Sequence, residues 1–328
     1  MQMTRRTILA ATAVSVLGVA GAARAQKTNL KVIVFPNVGN IPIFAAQTQG
    51  LFARRGLNVD VVNTPNSDEL RNGLAEGRYA IAHAAVDNAV HMAEVARADI
   101  AIVMGLDNGY NELIVQPEIN SYEDLRGKIL LVDAPNTAYA LLLYKMLRER
   151  GLRKGDYVVK PVGGTTQRLQ TMVSDKTASG AMINPPFTFR AEKVGLKSLG
   201  KAVDVTGPYQ ATGAWVMRQW AKENSEILVR YIQAYVEGLR WTFDPANKTA
   251  AIALLVERLE IPKETAIRGY ELAAHPTSGY AKDAKFNLAG FNNVLKLRAE
   301  MLGQWGGVPP APEKYLDMSY YDRALAGL

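Results

Sequence analysis

From Leu30 onward, short runs of β-branched and apolar residues alternate with stretches of helical spacing, the pattern of a parallel sheet wound with crossover helices. Strands are expected at Leu30–Phe35, Leu57–Val62, Ala80–Ala84 and Ile100–Leu106. Between the first two, Ile41, Phe44, Ala45, Leu51 and Phe52 share one helical face, and Gly56 ends that helix after Arg54 and Arg55 place cations on its last turn. Helices near Ser67–Ala75 and Val86–Arg97 complete a first α/β unit.

A second unit follows. Ser121-Tyr122-Glu123-Asp124 offers a capped turn, Ile129–Val132 a strand, and Thr137–Arg150 a helix ended by Gly151. Tyr157–Val162 is the next strand, Thr165–Val173 a helix, Ala181–Ile183 a strand, and Pro185–Lys193 a short helix with proline in its first turn. After Ala211 the pattern turns helical. Ile227, Leu228, Tyr231, Ile232, Tyr235, Val236 and Leu239 keep helical spacing, and Ala246–Leu259, Lys263–Ala273 and Asn287–Leu302 extend an all-helical tail. No repeat of solenoid period occurs.

Composition narrows the picture. A chain of 328 residues, 48% hydrophobic and 21% charged, is globular, and zero cysteines exclude disulfides, thiolate metal sites and cysteine nucleophiles. Met1–Ala25 has a basic start, an apolar run from Ile8 to Ala23 and a small-x-small ending at Ala23-Arg24-Ala25, the layout of an export signal cleaved after Ala25. Arg5-Arg6 directly before the apolar run resembles the twin-arginine signal; an uncleaved anchor is the alternative. Cleavage removes three arginines and no acid, so the formal charge falls from +7 to +4. The remaining cations are scattered among acids, which speaks for solvated faces and against nucleic acid as a partner.

Four phrases then stand in order: Gly50-Leu51-Phe52-Ala53-Arg54-Arg55-Gly56-Leu57-Asn58-Val59, Arg71 to Gly77, Ser121 to Lys128, and Asn184-Pro185-Pro186-Phe187. Together they resemble the periplasmic substrate-binding proteins of ABC importers for nitrate, sulfonates, taurine and pyrimidine precursors, over essentially the whole mature chain. The resemblance implies an α/β, two-lobe periplasmic binding protein fold of type II, each lobe a mostly parallel sheet flanked by helices, with ligand in the interlobe cleft. Lobe 1 would combine residues 26–115 with 212–328, and lobe 2 would be 116–211. It further implies a monomer in the periplasm that serves an inner-membrane permease with its cytoplasmic ATPase. A ligand-sensing subunit of a signalling receptor would use the same cleft. A pyrimidine-precursor synthase shares the fold but is distinguished by a cysteine-rich phrase that this chain lacks.

Candidate ligand contacts fall where strands turn into helices, because unpaired N–H groups gather there. In the first lobe these are Asn37, Gly39, Asn40 and Ile41, with Asn40 also able to cap. Asp87 could accept a hydrogen bond from a ligand amine or hydroxyl, or simply complement a helix dipole. Tyr110 and Asn111 sit at the first crossing between lobes, as hinge packing or as a clamp. In the second lobe, Asn136 with Thr137 and Thr165 with Thr166 could cradle an anion or serve as caps, and Asn184 with Phe187 forms a third candidate. Asn184 stands where the family often has an acid. The residues mix amides, hydroxyls and aromatics without a charged clamp, which favours a small organic acid or sulfonate, possibly aromatic, over nitrate. His83, His91 and His275 form no zinc phrase, and no Walker, dinucleotide or Gly-x-Ser-x-Gly motif occurs, so neither metal nor cofactor nor enzyme chemistry is expected.

Overall fold

The computed structural model describes residues 27–276 and 279–328. The export-signal reading falls on residues 1–25 and lies outside them. Among the described residues, ten strands form two five-stranded sheets: β1 (Thr28–Val34), β2 (Leu57–Asn63), β3 (Ile81–Ala85), β4 (Ile100–Gly105), β5 (Glu112–Val115), β6 (Ile129–Val132), β7 (Val158–Pro161), β8 (Ala178–Ile183), β9 (Lys197–Lys201) and β10 (Thr212–Met217). The first sheet has the order β2-β1-β3-β10-β4 and the second β7-β6-β8-β5-β9. Each carries one antiparallel strand, β10 or β5, inserted between its parallel neighbours. The two sheets therefore share one plan, which is the two-lobe periplasmic binding protein fold.

β3, β4 and β8 are buried at every position, as parallel strands covered by helices on both faces must be. The helix expected from Ile41 to Arg55 is two pieces, Ile41–Thr48 and Leu51–Arg54, because Gly50 takes a left-handed φ of 66° that breaks the ladder. The Ser121 phrase closes as a reciprocal box: Asp124 Oδ2 accepts from the Ser121 N–H at 2.9 Å, and Ser121 Oγ accepts from the Asp124 N–H at 3.4 Å.

Two expectations are corrected here. β5 pairs with β8 and β9, so residues 112–115 belong to the second lobe and the first crossing lies at 106–111. The tail after Ala211 is not all helical, since Thr212–Met217 is a central strand of the first sheet. The places of both strands depend on partners far away in sequence rather than on local spacing.

The two crossings run side by side. Asp107 O accepts the N–H groups of Ala211 and Thr212, and Asn111 O accepts the N–H of Ala202. Tail helices also bridge the lobes: Glu300 pairs with Lys145 at 3.1 Å and with Arg148, while Arg268 grips Glu192 with two bonds of 2.8 and 3.1 Å. Such exposed pairs contribute little stability each, up to about 1 kcal/mol. Among the described residues, no helix is long and apolar enough to cross a membrane.

Burial sets a pH response. Desolvation holds His83 neutral, with its pKa lowered to about 3, and His91 is lowered to about 4 by burial and then by Arg71 and Arg298. Asp107 moves the opposite way, to about 6, because burial outweighs its bonds from Thr212 and Gly109. Below pH 6.5 the unfolded histidines take up protons that the folded ones refuse, so stability falls. Asp107 gains a proton on folding in the same range and opposes one histidine. The net expectation is a loss of about 1 kcal/mol between pH 6 and pH 5. Urea unfolding at both pH values checks this, and His91→Phe should nearly flatten the difference.

Candidate functional site

A cavity opens between the two sheets, at the carboxyl ends of their parallel strands. The first lobe contributes Phe35, Asn37, Ser67, His83, Asn88 and Thr212, and the second contributes Asp133, Thr137, Tyr139, Gly164, Thr165, Arg168 and Asn184. Its volume is about 40 Å³. That is well below the roughly 150 Å³ of a cavity that admits benzene, so a ring-sized ligand requires the walls to move.

The walls touch directly. Pro65 O accepts the Gly164 N–H at 2.9 Å, Asp133 Oδ2 accepts the Ser67 N–H at 3.1 Å, and Pro185 O accepts the Val38 N–H at 3.4 Å. A side chain at Gly164 would stand 2.7 Å from Pro65 O, so only glycine permits this approach of the lobes.

Two helices start at the cavity, Ala138–Arg148 and Thr165–Ser174, and both aim free N–H groups and the positive end of a dipole into it. Arg168 stands one turn into the second helix, 2% exposed. It donates to Gly163 O at 2.7 Å, to Thr165 Oγ1 at 3.0 Å and to Met182 O from both Nε and Nη2, at 3.3 and 3.1 Å. These bonds occupy four of its five N–H groups. No carboxylate lies within ion-pair distance among the described residues, although Asp133 and Tyr139 favour the charged form against the burial that depresses its pKa. A cation there opposes the helix dipole, and Asp133, the carboxylate of the same wall, is engaged by the Ser67 N–H across the cavity, so Arg168 and the two helix starts are the groups able to meet an anion.

The remaining polar groups are held in fixed orientations. Thr165 Oγ1 donates to Asn184 Oδ1 at 2.9 Å, and Thr137 Oγ1 donates to Ala134 O at 2.9 Å. Across the cavity, Asn88 accepts from Arg71 at 2.9 Å and donates to Ser67 Oγ at 3.3 Å. His83 Nε2 meets the Tyr231 hydroxyl at 2.9 Å. Thr212 donates to Asp107 Oδ2 and accepts from the Asp107 N–H at 3.2 Å.

Of the residues singled out from sequence, Asn37, Thr137, Thr165 and Asn184 line the cavity. The others do not. Gly39 and Asn40 lie beneath the loop, where Asn40 donates to Phe35 O at 2.8 Å and makes no side-chain cap bond. Ile41 is core, packed with Val38 and Leu255. Asp87 turns away from the cavity and pairs with Arg298 at 2.7 Å, both nearly fully buried. Phe187 fills the core of the second lobe with Leu131 and Ile183. Asn136 and Thr166 are half-buried just outside the wall. Tyr110 and Asn111 line a separate open groove beside the crossings.

Sequence reasoning passed over Arg168, Ser67, His83, Asn88, Asp133, Tyr139 and Thr212. Arg168 had a legible signal, a cation in the first turn of a helix, where the dipole disfavours it. His83 and Thr212 had none, since both are strand residues whose facing is set by the sheet.

Comparisons with known proteins agree with this architecture. An ABC transporter periplasmic binding protein of Brachyspira hyodysenteriae is 22% identical over 226 residues, 64% of this chain and 64% of that protein, so the chain matches just under two thirds of that relative's length. The crystal structure of the periplasmic nitrate-binding protein of Synechocystis PCC 6803 superposes with a TM-score of 0.77 at 13% identity, covering 92% of this chain and 89% of that one. The desulfurization enzyme DSZB shares the fold, with a TM-score of 0.64 at 13% identity over 92% and 99% of the two chains. Fold alone therefore does not separate binding from catalysis. The NMT1-like family model matches residues 23–256, most of both lobes and the start of the helical tail, and the chain belongs to that family.

Proposed function

We propose that this protein is the periplasmic ligand-binding component of an ABC importer, which holds a small organic anion between its lobes and hands it to a membrane permease. The observation that carries the reading is the convergence of Arg168 and two helix starts on a cavity walled by both lobes. A ligand that touches both walls binds the closed arrangement better than the open one, and that difference drives closure. No chemistry is required. Among the described residues the cavity holds no nucleophile paired with a base: its histidine is held neutral against Tyr231, and its threonines donate to Ala134, Asn184 and Asp107. The protein acts in the periplasm, as a monomer.

The test is the melting temperature of residues 26–328 against carboxylates, sulfonates, amino acids, pyrimidines and inorganic anions. At a hundredfold excess over Kd, a ligand stabilises the fold by about 2.7 kcal/mol, a rise of several degrees. A saturable rise with one anionic class is expected. Uptake of that ligand should fall in cells lacking the gene; unchanged uptake would assign the cleft to sensing instead.

A further inference from the structure

Charge and dipole meet the cavity from one side. Arg168 and the starts of the Ala138–Arg148 and Thr165–Ser174 helices all belong to the second lobe, whereas closure requires that the first lobe grip the ligand too. In the first lobe's wall stand Ser67 and Asn88, 3% and 2% exposed. Behind them lies Arg71, buried and one turn beyond Ser67 on the Ser67–Ala75 helix. Its Nη1 donates to Asn88 Oδ1 at 2.9 Å and its Nη2 to Asp68 Oδ1 at 2.6 Å, while Asn88 Nδ2 donates to Ser67 Oγ at 3.3 Å.

The direction of this chain is set at the arginine end. A guanidinium has only donors, so the Asn88 amide must turn its oxygen to Arg71 and its NH2 group to Ser67; reversed, two N–H groups would face each other across 2.9 Å. Ser67 Oγ therefore accepts from Asn88 and keeps its own proton to give. Among the described residues no protein acceptor takes that proton. The Ser67 backbone N–H is already committed to Asp133 across the seam, so the hydroxyl is the donor that Ser67 has left to offer.

We infer that Arg71 is a positioning residue for ligand capture: acting through Asn88, it makes the Ser67 hydroxyl the first lobe's hydrogen-bond donor to the bound anion. The inference rests on the anion-binding reading above and supplies the grip from the first lobe that closure needs. Arg71 itself does not touch the anion. Without it the Asn88 amide is free to reverse, its oxygen takes the Ser67 proton, and the hydroxyl turns a lone pair toward the anion instead. Removing the arginine strands no buried charge, because the side chain of its partner Asp68 is 73% exposed.

Calorimetric titration with nitrate, propanoate, ethanesulfonate and benzoate tests this at pH 8, where His91, with its pKa lowered to about 4, stays neutral. Ser67→Ala keeps the backbone bond to Asp133 and should weaken the tightest of these anions about tenfold or more, the worth of one hydrogen bond to a charged group. Arg71→Met should weaken it about fivefold in the unmodified background and less than twofold when joined to Ser67→Ala. That coupling separates positioning from a distant charge or a general loss of structure, either of which would act equally in both backgrounds. Asn88→Asp, which accepts from Arg71 and Ser67 alike, should also weaken binding more with Ser67 present than with Ser67→Ala. Equal effects of Arg71→Met and of Asn88→Asp in the two backgrounds, or an unchanged Kd for Ser67→Ala, overturn the role of Arg71 and leave the anion reading intact. Binding of none of the four anions overturns both.

Discussion

The Arg168→Met protein is expected to bind its ligand about 100-fold more weakly than the unmodified protein, with a fold that still closes. Among the described residues the guanidinium is the one full positive charge in the cavity wall, and hydrogen bonds to charged groups contribute about 1.5–3 kcal/mol each. Its burial strengthens the field, because little water competes for the anion. Stability should fall too, by about 2–4 kcal/mol, since Gly163 O and Met182 O lose their donors. The two effects are separable: calorimetry gives the Kd of the best anion from the melting panel, and urea unfolding without ligand gives the stability. Arg168→Lys keeps the charge but cannot reproduce the fork that spans Gly163 O, Thr165 and Met182 O, so it should recover only part of the affinity. A Kd for Arg168→Met within threefold of the unmodified protein would remove Arg168 from the site.

Asp87→Ala should cost about 3–5 kcal/mol of folding stability and leave ligand affinity within twofold. The carboxylate pairs with Arg298 at 2.7 Å in the interior, joining the Val86–Glu94 helix to the Leu288–Leu302 helix of the tail. Removing one member leaves the other charge buried without a counter-ion, which is far more costly than the pair itself is stabilising. The surroundings add to the cost, since Asp87 Oδ2, Arg298 Nη2 and the nearby His91 Nδ1 are already buried without protein partners. Replacing both members with apolar residues, Asp87→Leu with Arg298→Met, should restore most of the lost stability. Urea midpoints for the three proteins settle the order. If Asp87→Ala weakened binding with stability unchanged, the aspartate would belong in the cleft after all.

Four of the anticipated contacts, Asn37, Thr137, Thr165 and Asn184, were legible because each stands at or just beyond a strand's carboxyl end. In a parallel sheet that position faces the cleft whatever the rest of the chain does. The alternation of strand and helix patterns likewise suffices for two α/β units, since burial on both faces forces apolar runs and crossover helices force amphipathic ones. Local order could not place β5 or β10. Each is an antiparallel insertion whose neighbours are chosen by hydrogen bonding across the sheet.

Tertiary structure alone decided which polar residues meet the ligand and which meet each other. Asp87 and Asn88 are adjacent in sequence, yet one is committed to Arg298, 211 residues away, while the other lines the cavity and holds Ser67. A single helical step of 100° separates those fates, and only the packing partners on each side determine which is which. The direction of each threonine proton is decided the same way. A hydroxyl can point either way in the sequence, and it is the carbonyl, amide or carboxylate placed behind it by the fold that fixes what remains to be offered to a ligand.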